Sequence, residues 1–282
     1  MKILLTGGTG FIGRAVLGRL IEEGHEVTAV VRSESSATKV AQTGATALVG
    51  DLFDAGWLID QLRGHDAAIH TAAGSDGRDA ELNDAVIEAA LTAFAGTEKV
   101  FVHTGGVWVY GSNDAITEES PLSPPAITSW RPAGEQRVLD SGLRAAVVQP
   151  GIVYGHGQGI PAMLAGSVDG DTVTVPGTGD QHWTTIHVDD LADLYLAVLA
   201  AAPAGRAYLG VNGQNPTARE LGEALAATVR AEGDSATVAR LGAFGEALVL
   251  DQQAAGERAR NELGWAPTRP SLLEELRAGY TA

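Results

Sequence analysis

The stretch Thr6-Gly7-Gly8-Thr9-Gly10-Phe11-Ile12-Gly13 constrains this chain more than any other. It follows Lys2-Ile3-Leu4-Leu5, an apolar run of strand length, and precedes Arg14–Ile21, where apolar residues recur at helical spacing. A strand-to-helix turn aims backbone N–H groups and the positive end of the helix at one point, which suits a phosphate. Gly7 and Gly10 let the backbone bend and approach a pyrophosphate, and Gly13 lets the helix pack closely on the strand. With Thr9, Phe11 and Ile12 they form a candidate dinucleotide cradle.

A second strand is expected at Glu26–Val31, so strand, helix and strand make one right-handed crossover unit. Arg32 follows it. An acid there would accept from a ribose 2′-hydroxyl, whereas a guanidinium suits a 2′-phosphate, so Arg32 favours NADP(H) over NAD(H). Ala47–Leu52 reads as a third strand. Asp51, beside Leu52 at its end, could meet an adenine amino group or cap the next helix. Asp66–Gly74 reads as a fourth strand, and the small residues Thr71, Ala72 and Ala73 leave room for a ribose and pyrophosphate over the sheet. His70 is a base candidate or, on the plainer reading, a core histidine. The expected fold is therefore α/β, a doubly wound parallel sheet of the Rossmann type.

The 282 residues allow one large core carrying a smaller lobe. A net charge of −16 would repel a nucleic acid backbone. There is no cysteine, so neither disulfide nor thiolate chemistry arises, and no metal-ligating set is expected. The first residues enter a strand directly, and no apolar run reaches the ~18 residues a membrane span needs. A cytoplasmic protein is expected, with a small-molecule substrate, no nucleic acid or membrane partner, and a homodimer as its candidate assembly.

Thr6-Gly7-x-x-Gly10-x-x-Gly13, Gly50-Asp51-Leu52 and His70-Thr71-Ala72-Ala73, in that order, resemble the extended short-chain dehydrogenase/reductases, which include nucleotide-sugar epimerases. Val109-Tyr110-Gly111, Pro150–Gly155 and His187–Ala192 stand where that family has similar segments. The resemblance implies a C-terminal substrate lobe closing over a nicotinamide. It gives residues 1–153 and 183–212 to the dinucleotide domain, and 154–182 and 213–282 to the lobe. It also sets Pro150, Ile152 and Val153 against the nicotinamide.

The family's chemistry uses a Ser, a Tyr and a Lys four residues after the Tyr. At the matching positions this chain has Gly106, Trp130 and Gly134, and no Tyr-x-x-x-Lys occurs anywhere in it. This resembles the atypical branch of the family, which keeps the cofactor site and alters the catalytic one. Tyr110, His103, Thr104 and Ser129 become the candidate proton donors, with Tyr110 first on chemical grounds. Where epimerases tend to hold a diphosphate with an Arg, Trp183 stands. With Trp108, Trp130, Tyr154 and His156 it suggests a pocket for an uncharged or ring-bearing substrate. The expected activity is reduction of an imine, enone or ketone with NADP(H). A non-catalytic NADP(H) sensor is the alternative, and a nucleotide-sugar epimerase or dehydratase ranks third.

Overall fold

The computed structural model describes residues 1–74 and 77–280. Its centre is a seven-stranded, all-parallel sheet. We label the strands β1 (Lys2–Thr6), β2 (Glu26–Val31), β3 (Thr46–Val49), β4 (Ala67–His70), β5 (Val100–Thr104), β6 (Arg144–Pro150) and β7 (Arg206–Gly210). Their order across the sheet is β7-β6-β5-β4-β1-β2-β3, which reverses direction at β1. That reversal opens a crevice beyond the strands' carboxyl ends, beside β1, where open α/β sheets bind ligands.

Both faces of the sheet are covered, which explains the unbroken apolar runs in its strands. In β1, Ile3 and Leu5 point into one core with α1 (Phe11–Glu22) and the helix Val188–Ala201. Leu4 points into the other, with the helices Ala55–Arg63, Asp79–Phe94 and Arg131–Leu139. The same alternation runs through β5, with Val100 and Val102 on one side and Phe101 on the other.

The helix Ala55–Arg63 is capped by Asp54, whose Oδ1 accepts from Trp57 N at 3.1 Å. The capping role expected of Asp51 therefore falls to Asp54. Asp51 stands one turn too early and accepts from Phe53 N instead, at 3.0 Å. The third and fourth strands are shorter than their apolar runs suggest, because the chain leaves the sheet at Val49 and His70 to form the rim of the crevice.

Beyond Gly151 the chain builds a third core around Ile152, Tyr154, Leu164, Val173, Trp183 and Leu221. Two small three-stranded sheets frame it, one of them pairing Ile152–Gly155 with Thr185–His187. The last two residues of the lobe range, 281 and 282, lie outside the described residues. A C-terminal strap ties this lobe down. Trp265 Nε1 donates to Asp190 O at 2.9 Å, and Tyr154 Oη donates to Pro270 O at 2.7 Å. Gly155 N donates to Tyr280 Oη at 2.8 Å, and that hydroxyl donates to Gln158 O. The Asp190 carboxylate is buried and accepts from Thr268 N at 2.9 Å and Arg269 N at 3.0 Å. Asp190→Ala would leave those two N–H groups without their acceptor, at about 1–3 kcal/mol each. We expect a loss of at least about 2 kcal/mol in urea unfolding, and an unchanged midpoint would contradict this role for the Asp190 carboxylate.

Candidate active site

The crevice is two joined hollows. The outer one, about 440 Å³, runs from the glycine turn to Arg32 and Ser36 and on to Asp51, Leu52 and Phe53. The inner one, about 420 Å³, lies between the ends of β5 and β6 and the lobe, and is walled by Trp108, Trp130, Arg131, Pro150, Ile152 and Val153 among others. Phe11, Ile12, Thr71, Ala72 and Ala73 border both.

The glycine turn fits a dinucleotide on steric grounds. Gly7 has φ +79°, and a Cβ there would lie 2.6 Å from Ala72 N. A Cβ on Gly13 would lie 2.2 Å from Gly7 O and 2.5 Å from Thr71 Oγ1. Only bare backbone lets the turn, β4 and α1 approach one another this closely. Gly10, the residue before α1, supplies no side-chain cap, so the first N–H groups of the helix are left for a ligand. All the residues expected at the cofactor lie along these two hollows: Gly7, Thr9, Gly10, Phe11, Ile12, Gly13, Arg32, Asp51, Leu52 and Thr71–Ala73 around the outer one, and Pro150, Ile152 and Val153 around the inner. Arg32 is exposed and has no ion-pair partner among the described residues.

The catalytic candidates scatter. Thr104 lines the inner hollow, but its hydroxyl donates to His70 O at 2.6 Å and therefore accepts from Tyr195 Oη, also at 2.6 Å. Tyr110 is buried away from the hollow. Its hydroxyl donates to Gln149 Oε1 at 2.8 Å, and burial pushes its pKa up, which makes it a structural group rather than a wall of the site. His103 is buried beneath the floor, stacked on His70 with ring centroids 5.5 Å apart. Burial pushes His103 far below the usual histidine range and lowers His70 to about 4, so both rings are neutral at neutral pH. Ser129 is exposed and donates to Ala126 O at 3.0 Å.

The expected substrate residues also divide. Trp108 and Trp130 face the inner hollow. Trp183 is 2% exposed, inside the lobe core, and donates Nε1 to Leu248 O at 3.0 Å. Tyr154 is held under the strap, and exposed His156 pairs with Asp189 at 3.0 Å. Neither borders the hollow. His156, His187 and Asp189 offer ligand atoms within 4.8 Å of one another. His187, however, already accepts from Asp189 N through Nδ1 and pairs with Glu275 through Nε2, at 3.1 Å each.

Sequence reasoning missed Arg131. The helix Arg131–Leu139 begins after Trp130, with Pro132 in its first turn and no side-chain cap from Thr128 or Ser129. This start turns the Arg131 side chain into the hollow. Nη1 donates to Thr104 O at 3.1 Å and Gly105 O at 3.4 Å, and the guanidinium lies 4.5 Å from the centre of the Trp130 ring. One turn on, Glu135 is buried, accepts from Gln149 Nε2 at 2.7 Å, and is raised by burial to about 7. Among the described residues no tyrosine or lysine lines the inner hollow. An Arg-x-x-x-Glu pair thus stands one residue past the positions that would carry Tyr-x-x-x-Lys. The signal available was the charged Arg131 directly beside the Tyr-equivalent position.

Residues 3–209 match the model of the NAD dependent epimerase/dehydratase family. This chain belongs to that family. Its members include reductases, epimerases and dehydratases. An uncharacterized protein of Schizosaccharomyces pombe is 30% identical, covering 98% of each chain. A 2-alkyl-3-oxoalkanoate reductase of Stenotrophomonas maltophilia is 32% identical over 82% of this chain and 76% of its own. Among solved structures, a dTDP-glucose 4,6-dehydratase of Streptomyces venezuelae with NAD bound is 27% identical, covers 99% of this chain and 96% of that one, and superposes with a TM-score of 0.76. The match spans the sheet, the glycine turn and the lobe, and so agrees with the doubly wound architecture. Among the described residues no helix is long and apolar enough to cross a membrane.

Proposed function

We propose that this chain is an NADP(H)-dependent reductase of a small, ring-bearing ketone, enone or imine, working without a Tyr–Lys pair. The observation behind this reading is the junction of the two hollows: a dinucleotide-sized cradle leads without a break into a cavity walled by two indoles. Bound across that junction, the dinucleotide would supply a hydride to the substrate carbon. The residues of the chain then shape the cavity and orient the substrate. Pro150, Ile152 and Val153 wall the cavity beside the cradle, Trp108 and Trp130 offer flat faces to a ring, and the proton for the substrate oxygen or nitrogen comes from water. Thr104 holds the floor in place, because its own proton is committed to His70 O. A reductase among the relatives, 32% identical, supports reduction over epimerisation.

Arg32 supports the choice of NADP(H). It borders the outer hollow and has no carboxylate to neutralise it among the described residues, which suits a 2′-phosphate. Arg32→Asp should weaken NADPH binding by about tenfold or more, the worth of one charge-assisted contact, and leave NADH binding nearly unchanged. Equal losses for both cofactors would refute the assignment. Turnover is read as loss of NADPH absorbance against a panel of imines, enones and ketones. Tight NADPH binding without turnover on any class would instead favour a dinucleotide sensor.

A further inference from the structure

Arg131 is a cation with no carboxylate in contact among the described residues. It forms no ion pair within 4.0 Å among the described residues, although it lies in a mostly apolar cavity under the lobe. Only Nη1 is engaged, and with backbone carbonyls; Nε and Nη2 have no acceptor among the described residues. Asp79, which lines the same hollow, and Glu135 act on it through space, but neither carboxylate contacts the guanidinium. Asp79 is turned to Gly74 N, at 2.5 Å, and Glu135 is turned to Gln149 and held partly protonated at neutral pH by its burial. Arg131 is half-buried, and a guanidinium with a free Nε/Nη2 edge presents the fork that a carboxylate fits. The Trp130 ring packs against the guanidinium, 4.5 Å from its centre.

We propose that the inner hollow takes a small organic acid, whose carboxylate pairs with the free edge of Arg131 while its ring lies between Trp108 and Trp130. The inference rests on the reductase reading for what happens to that acid, and it narrows the substrate to oxo acids and unsaturated acids. It also replaces the expectation of an uncharged substrate. That expectation leaned on Trp183, which the lobe core has absorbed, and it overlooked the arginine that does face the cavity.

The test is calorimetric titration of the NADP+-saturated protein with cinnamate and, separately, with cinnamamide. Cinnamate should bind about tenfold or more tighter than the amide, the worth of a charge-assisted pair in a shielded site. Arg131→Gln should remove that preference, and Arg131→Lys should restore part of it. NADP+ affinity and the affinity for the amide should stay within about twofold in each variant. Equal binding of acid and amide by the unaltered protein, or no binding of cinnamate, overturns the proposal without recourse to any variant. So does a variant that keeps the preference but loses NADP+ affinity, because Arg131 would then serve the dinucleotide. The titration needs no turnover. An acid preference in a protein that reduces nothing keeps the subsite and sinks the reductase, whereas reduction of neutral ketones with no acid preference does the reverse.

Discussion

Gly13→Ala should abolish NADPH binding and destabilise the protein, while Gly18→Ala in the same helix should stabilise it and leave binding intact. The difference lies in what each new Cβ meets. At Gly13 it would sit 2.2 Å from Gly7 O and 2.5 Å from Thr71 Oγ1, one of them backbone of the cradle itself. To relieve that contact the turn must move away from α1, and the phosphate-facing N–H groups lose their common focus. Overpacking of this kind costs about 1–3 kcal/mol. At Gly18 nothing lies within 4 Å, so the substitution only removes backbone freedom from the unfolded chain and gains up to about 1 kcal/mol. Thermal denaturation with and without NADPH separates the two effects. If Gly13→Ala still binds NADPH like the parent, the cradle is not the cofactor site.

His70→Asn and Glu135→Gln should tilt the pH dependence of stability in opposite directions. The His70 pKa is lowered from 6.5 to about 4, chiefly by burial. The unfolded chain therefore takes up that proton first, so this part of the stability is complete above pH 6.5 and is lost as pH falls toward 4. The Glu135 pKa is raised from 4.5 to about 7, again chiefly by burial. Here the folded chain holds the extra proton, so the stability is complete below pH 4.5 and is lost as pH rises through 7. Between pH 4.5 and 6.5 the two slopes oppose each other, at about 1.4 kcal/mol per pH unit apiece. Removing His70 should therefore shift the balance by about 3 kcal/mol toward acid over that window, and removing Glu135 should shift it equally toward alkali. Urea midpoints at about pH 4.5, 5.5 and 6.5 report the slope, and parallel profiles for parent and variants would contradict the burial argument. His103, lowered in the same direction as His70, leaves some acid lability in the His70 variant.

The parts of the site legible in the sequence are those whose chemistry is local. The glycine turn, Arg32, Asp51 and Thr71–Ala73 all follow directly on sheet strands, and in a parallel sheet the carboxyl ends of neighbouring strands share one edge. Knowing the strands was enough to bring these residues together. The catalytic candidates had no such constraint. Tyr110 lies in a short 3-10 turn, Val107–Tyr110, which exposes Trp108 to the hollow and turns Tyr110 into a buried contact with Gln149. Ser129 and Trp130 precede one helix, yet the first faces solvent and the second the cavity. Which way a side chain turns there depends on where the helix begins, and Pro132 set that start without a cap at Thr128 or Ser129.

By itself the sequence determined the main sheet strands, the glycine turn and the absence of a Tyr-x-x-x-Lys pattern, because apolar runs, glycine placement and residue identity act over a few positions. Only the tertiary structure decided that Trp183 belongs to the lobe core, that Asp190 clasps the C-terminal strap, and that Arg131 stands unpaired in the cavity. Burial and charge compensation are sums over neighbours distant in the chain. Residue 131 reads as an ordinary helix-start arginine until β5, Trp130 and the lobe close around it, with Asp79 in the same hollow but turned to Gly74 N and not to the guanidinium.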